Sequence, residues 1–231
     1  MLAYHGDLAV KKKYLKRVRA HRVADELTQR IGWKKGRGCA VGCTLDDYDH
    51  SRYPDELGVP VALAYLEDEL FERQEAIKAQ KWPERFLEAI PVGADLSQVW
   101  PQFAIWMLVD PDFGVIRLVD STEIRVAVER VADLYRREGT SEEFVEAAKA
   151  AKAVGKTVTI GGVDSHVAWT VEGASEATFR DAGIPRVVMW ASDAAWIVGG
   201  SVGDAWIIAA CDKLIELLKQ APNGQSEKKV V

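Results

Sequence analysis

The chain has 231 residues, 48% hydrophobic and 28% charged, with a formal net charge of −5. That length and apolar content can bury a core, and they exclude a largely disordered polypeptide. Cys39, Cys43 and Cys211 are an odd count with no disulfide framework, and the start, MLAYHGDLAVKKK, lacks a signal-peptide-like apolar run, so a reducing, cytoplasmic setting is predicted.

Helical signals dominate the first two thirds. Asp7 is placed to cap a helix whose inner face is Tyr14, Leu15, Val18, His21 and Leu27, with Lys12, Lys16, Arg19 and Arg30 opposite. Gly32, Gly36 and Gly38 break that pattern. Pro60, just after Gly58, opens a second long helix with Leu63, Leu66, Leu70 and Ile77 as its buried stripe. WPERFLEAI reads as a third, with Phe86, Leu87 and Ile90 inward, and Asp95 caps LSQVWPQFAIWMLV. After the turn VDPDFG, Ser121 or Asp120 caps a helix with Ile124, Val128, Val131 and Leu134 or Tyr135 inward. Ser141 caps the alanine-rich EEFVEAAKAAKAV, which ends at Gly155.

The last third is less regular. KTVTIGG alternates Thr with Val and Ile, which predicts a short extended segment near 156–162. SHVAWTVEGAS and SDAAWIVGGSV share Ser, Ala-Trp, Val and Gly at an offset of 27 residues, consistent with two helices joined by DAGIP, whether as a repeat or by chance. Ala191, Ala195, Gly199 and Gly203 form a small-residue ridge, Trp196, Ile207 and Leu218 fall on nearly one face, and Gly199-Gly200 marks a kink. The apolar run from Val187 to Cys211 contains Asp193 and Asp204, each costing about 3 kcal/mol near a bilayer centre, so a buried helix and no membrane partner are expected.

Charge is segregated. Residues 1–37 carry 11 Lys and Arg against 3 Asp and Glu, while residues 38–99 carry 5 against 13. The two segments could pair with each other in the fold, or the basic helix from Lys11 to Arg22 could contact nucleic acid.

Most of the candidate chemistry lies in GRGCAVGCTLDDYDH, residues 36–50. On a helix Cys39 and Cys43 share a face, and with His50 and one of Asp46, Asp47 or Asp49 they could hold zinc. Alternatively, Cys39 is a nucleophile activated by a helix N-terminus and Arg37, with His50 or His21 as base and the Gly38–Ala40 amides as oxyanion donors. A third reading makes Cys39-Ala40-Val41-Gly42-Cys43 a close-packed apolar surface with inert thiols. Elsewhere AKAVGKT resembles a phosphate-binding loop, but a helix precedes it and a β-like stretch follows, the reverse of what that chemistry needs. His21 with Asp25, and Glu67, Asp68 and Glu72, could contribute to a bundle metal centre, although Glu-x-x-His pairs are absent and LEDELFE reads as a solvated acidic face.

YHGD…KYLKRVRAHRVADEL…GRGCAVGCTL…YPDELGVPVALAYLEDELFE…WPERFLEAIPVGADLS resembles a group of uncharacterised bacterial and phage-encoded proteins that share a GKGCAVGC-type segment. The resemblance covers about residues 3–135 and implies no catalytic residues, because no activity is assigned to the group. TVTIGGVDSHVAWTVEGAS departs from that group's alanine- and tryptophan-rich C-terminal region, which puts an all-helical last third in question.

Together these features predict a mainly α, multi-helix bundle-like single domain over 1–220, comprising an N-terminal portion (residues 1–139) and Ala/Trp-rich helices (residues 140–220), followed by a flexible tail, 221–231. The expected function is a non-enzymatic binding or assembly module, able to self-associate through its small-residue and tryptophan-rich helices, with the Cys39 enzyme and the basic-helix nucleic-acid binder as alternatives.

Overall fold

The computed structural model describes residues 1–158, 160–178 and 181–224. The fold is mainly α: helix accounts for 71% of it, against one two-stranded ribbon. In chain order the helices are α1 (Leu8–Val23), α2 (Ala40–Leu45), α3 (Tyr53–Leu57), α4 (Val61–Arg73), α5 (Ala76–Ala79), α6 (Trp82–Ala89), α7 (Val99–Val109), α8 (Thr122–Arg136), α9 (Ser141–Gly155), α10 (Val163–Glu176), α11 (Ile184–Val198) and α12 (Gly200–Gln220). They gather into two compact units, Met1–Val99 with Asp212–Val231, and Trp100–Cys211. Residue 139 lies in the turn between the mutually packed α8 and α9, inside the second of these units.

In the first unit, Asp7 caps α1 by accepting a hydrogen bond from the Ala9 amide at 2.7 Å, and Tyr14, Leu15 and Val18 turn inward. Several basic side chains of α1 are engaged internally, while Lys12 and Lys16 face solvent. Arg17 pairs with Asp46, Arg19 with Glu84 and Glu88, Arg22 with Glu84, and Lys13 with Glu56. Lys11 donates to the Glu88 and Ile90 carbonyls at 2.8 and 2.5 Å. The opposed charges of residues 1–37 and 38–99 thus meet within the unit.

α4 differs from its expected form. Leu63, Leu66 and Leu70 are buried, but so are Ala62, Ala64, Glu67, Asp68 and Phe71, so the helix is covered on nearly every side. LEDELFE is not a solvated acidic face, because α2, α3 and α6 pack around it. Ile77 does not belong to its stripe either. α4 ends at Arg73, and Ile77 lies exposed on the separate α5.

In the second unit α8, α9, α10 and α11 pack each on the next. Ser121 caps α8 by accepting from the Ile124 amide, and Ile124, Val128, Val131, Leu134 and Tyr135 are buried as the spacing predicts. The cap of α9 is Thr140 rather than Ser141, and with Glu143 it forms a reciprocal capping box. Tyr135 satisfies its buried hydroxyl by donating to the Ala174 carbonyl at 2.6 Å. The last third is helical where described, α10 included. The extended segment expected near 156–162 is instead a run of turns and a bend, in which the Lys156 and Thr157 amides bond back onto the end of α9, while Thr159 lies outside the described residues. The glycine of AKAVGKT is the last residue of α9, lying against Ala168 of α10.

At Gly199 the backbone is fully extended, and the chain breaks into two helices there rather than kinking. Trp196 then lies on a different helix from Ile207 and Leu218, so no common stripe forms, and its ring covers Gly203. Trp196, Ile197, Val198 and Val202 nonetheless remain exposed. Of the expected tail, Pro222 and Gly224 bond to Asp95 and Gly93 at 2.8 and 3.0 Å, and residues 225–231 lie outside the described residues.

The Arg137 guanidinium beside Glu143 and the Thr140 amide hold its carboxyl down at about 2, below the ordinary 4.5. A depressed folded-state value stabilises the fold above the unfolded value and is lost as pH falls through the folded one. Glu143→Gln keeps the cap but removes the charge. The variant should melt below wild type at neutral pH, with the gap closing between about pH 4.5 and 2 in thermal melts followed by circular dichroism.

Candidate metal centre

The cysteine segment is built on glycine. Trp33–Lys34 pairs antiparallel with Arg37–Gly38 across a two-residue turn, Lys35-Gly36, in which both residues have positive φ. The Gly32 carbonyl accepts from the Cys39 amide at 3.1 Å and lies directly against Gly38 and Gly42, where a β-carbon would clash with it. Those two glycines allow the strand to close on α2. Cys39 is the N-cap of α2, its sulfur accepting from the Gly42 amide at 3.5 Å.

Cys39, Cys43 and Cys211 are buried, and none is in a disulfide. Cys43 points its thiol at the Gly38 and Glu26 carbonyls, 3.4 and 3.8 Å away, and burial pushes that thiol up to about 12. His21 is held between Glu26 at 2.7 Å and Asp46 at 2.9 Å, with Trp33 edge-on. Cys43 and His21 are thus each turned toward partners other than Cys39.

Cys39 instead meets α4. Its sulfur and carboxylate oxygens of Asp68 and Glu72 all lie within 4.8 Å of one another. Asp68 and Glu72 are four apart on one helix, so both point to the same side. His50, buried and stacked on Tyr65 at 4.2 Å, approaches Asp68 Oδ2 at 3.1 Å. Asp68 Oδ1 is buried without a hydrogen-bond partner, and the side chain as a whole is 9% exposed. Behind this group, Glu67 is fully buried, accepting from the Tyr53 hydroxyl at 2.6 Å.

The electrostatics set the chemistry. Burial, followed by the Asp68 and Glu72 carboxylates, pushes the Cys39 thiol far above its ordinary value, which leaves it protonated and a poor nucleophile. Burial and Asp68 raise Glu72 to about 7, against the Arg30 amide that donates to it at 2.7 Å. Burial pushes Glu67 up as well, and the neighbouring Asp68 adds to the rise although the Tyr53 bond opposes it. Burying acidic groups this close is costly unless a positive charge offsets them. A divalent cation would reverse the balance, drawing the proton off the thiol. A thiolate with two carboxylates suits zinc, whose bonds of about 2.0–2.3 Å would draw the three donors in by about 1 Å. His50, holding the other Asp68 oxygen, would orient that carboxylate.

The sequence pointed to Cys39 and His50 but assigned them as direct partners, whereas Asp68 stands between them. It weighed Asp68 and Glu72 as parts of a bundle metal centre apart from Cys39, and favoured a solvated face for them. The available signal was their i, i+4 spacing on a helix with apolar residues on every side. Comparison with protein-family models, curated proteins and solved structures gives no match.

Gly42→Ala forces a methyl group into the Gly32 carbonyl. A cost of about 1–3 kcal/mol is expected, as for overpacked cores, measurable as a lower urea midpoint at unchanged m-value.

Proposed function

We propose that the protein is a metal-binding module, with Cys39, Asp68 and Glu72 as ligands of a divalent, zinc-like cation. The observation that carries this reading is the convergence of three acidic donors around a nine-tenths-buried carboxylate whose Oδ1 has no partner. The cysteine-enzyme reading is disfavoured by the protonated thiol, and by His50 addressing Asp68. The nucleic-acid reading is disfavoured by the internal pairing of Arg17, Arg19 and Arg22.

Cobalt(II) reports thiolate ligation directly. One equivalent added to the wild type should produce a sulfur-to-metal charge-transfer band, which Cys39→Ser abolishes and Asp68→Asn weakens. Zinc at a hundredfold excess over its dissociation constant should raise the melting temperature by about 5–10 °C. No band and no thermal shift in a folded wild type would refute the proposal.

Self-association is a second reading, favoured by the exposed apolar group Trp196, Ile197, Val198 and Val202. Light scattering should give a mass above one chain at high concentration, falling to one chain in Trp196→Asp. A monomer throughout would remove this reading.

A further inference from the structure

Cys39, His50 and Asp68 are buried, so an ion can reach them only if something moves. A side chain that meets both this group and solvent is Tyr48. It lies in the short connection after α2, is 51% exposed, and stands edge-on to the His50 ring at 4.9 Å. Its ring is pressed against the backbone at Gly32, where an added β-carbon would come within 2.6–2.8 Å of three ring carbons. Glycine at 32 is therefore what lets the ring lie down. The phenol faces the cluster. Burial raises it first, then the nearby charges of Asp68, Cys39 and Glu72, which means its inner edge shares their enclosure while its outer face meets water.

We infer that Tyr48 is a cover over the metal centre, closed against Gly32 and edge-on to His50, and that its outward rotation admits and releases the ion. This inference rests on the metal reading of the Cys39, Asp68 and Glu72 group. The covering element is the aromatic ring, held by Gly32 and His50, while the hydroxyl bonds the Asp68 carboxylate from inside. A side chain held by ring packing and one hydrogen bond can swing without unfolding the helices that carry the ligands, because Asp68 and Glu72 sit on α4 and Cys39 caps α2. Ion capture then proceeds through the minor open state, at a rate scaled by its population. Removing the ring speeds capture and release together and leaves affinity nearly unchanged.

Stopped-flow cobalt(II) binding to the full chain, read at the thiolate charge-transfer band, tests this. Tyr48→Ala should accelerate both capture and chelator-driven release by about tenfold or more, the factor set by an open state populated at about 10% or below. Tyr48→Phe, which keeps the ring and loses only the bond to Asp68, should stay within a few-fold of the wild type and well below Tyr48→Ala. Wild-type rates in Tyr48→Ala, or Tyr48→Phe behaving like Tyr48→Ala, would overturn the cover while leaving the metal reading intact. The absence of any band in the wild type would instead defeat the metal reading itself. Near-ultraviolet and far-ultraviolet circular dichroism of each variant confirms that the fold being compared is the same.

Discussion

The enclosure of α4 is the constraint on which the first unit depends. A helix carrying Glu67, Asp68 and Glu72 would ordinarily lie at a surface, where water solvates its carboxylates. Here α2, α3 and α6 cover it, and every inward acid must be answered from within. Tyr53 answers Glu67, His50 answers one oxygen of Asp68, and the Arg30 amide answers Glu72. Two carboxylate oxygens stay without a hydrogen-bond partner among the described residues, Glu67 Oε1 and Asp68 Oδ1, and the second, beside the Cys39 thiol, marks the candidate centre.

That enclosure explains why the glycines around the cysteines are arranged as they are. α2 can reach α4 only if the chain before it folds tightly, and the Gly32 carbonyl resting on Gly38 and Gly42 makes the turn compact. Gly32 also leaves room for Tyr48. A segment that looks like a catalytic motif is therefore first a packing device, and its chemistry comes from the helix it packs against. The protonated thiol follows from the same geometry, since burial next to carboxylates works against a thiolate until a cation arrives.

The second unit follows simpler rules. α8 through α11 are amphipathic or small-residue helices, and their buried polar side chains, Ser165, Thr170, Ser175 and Ser192, are uncharged hydroxyls that donate to carbonyls three or four residues back. Its one local surprise is the extended Gly199, which converts an apparently continuous apolar run into two helices and turns Trp196 onto Gly203. Periodicity across that run cannot predict a shared face, because the helical phase is lost at the break.

The sequence by itself determined the mainly α class, the Asp7 cap, a cap at Ser121 or Asp120, the inward Tyr14, Leu15 and Val18 of α1, and the inward face of α8, although Leu27 lies past the end of α1. Each of these is written in local spacing and in side chains that bond their own neighbours. It also determined that opposite charges dominate residues 1–37 and 38–99. Tertiary structure alone decided that these charges pair internally, that LEDELFE is buried, and that Cys39 meets Asp68 and Glu72 instead of Cys43 and His21. The physical reason is that burial and proximity across tens of residues depend on which helices enclose which, and helical periodicity on one segment carries no record of its neighbours.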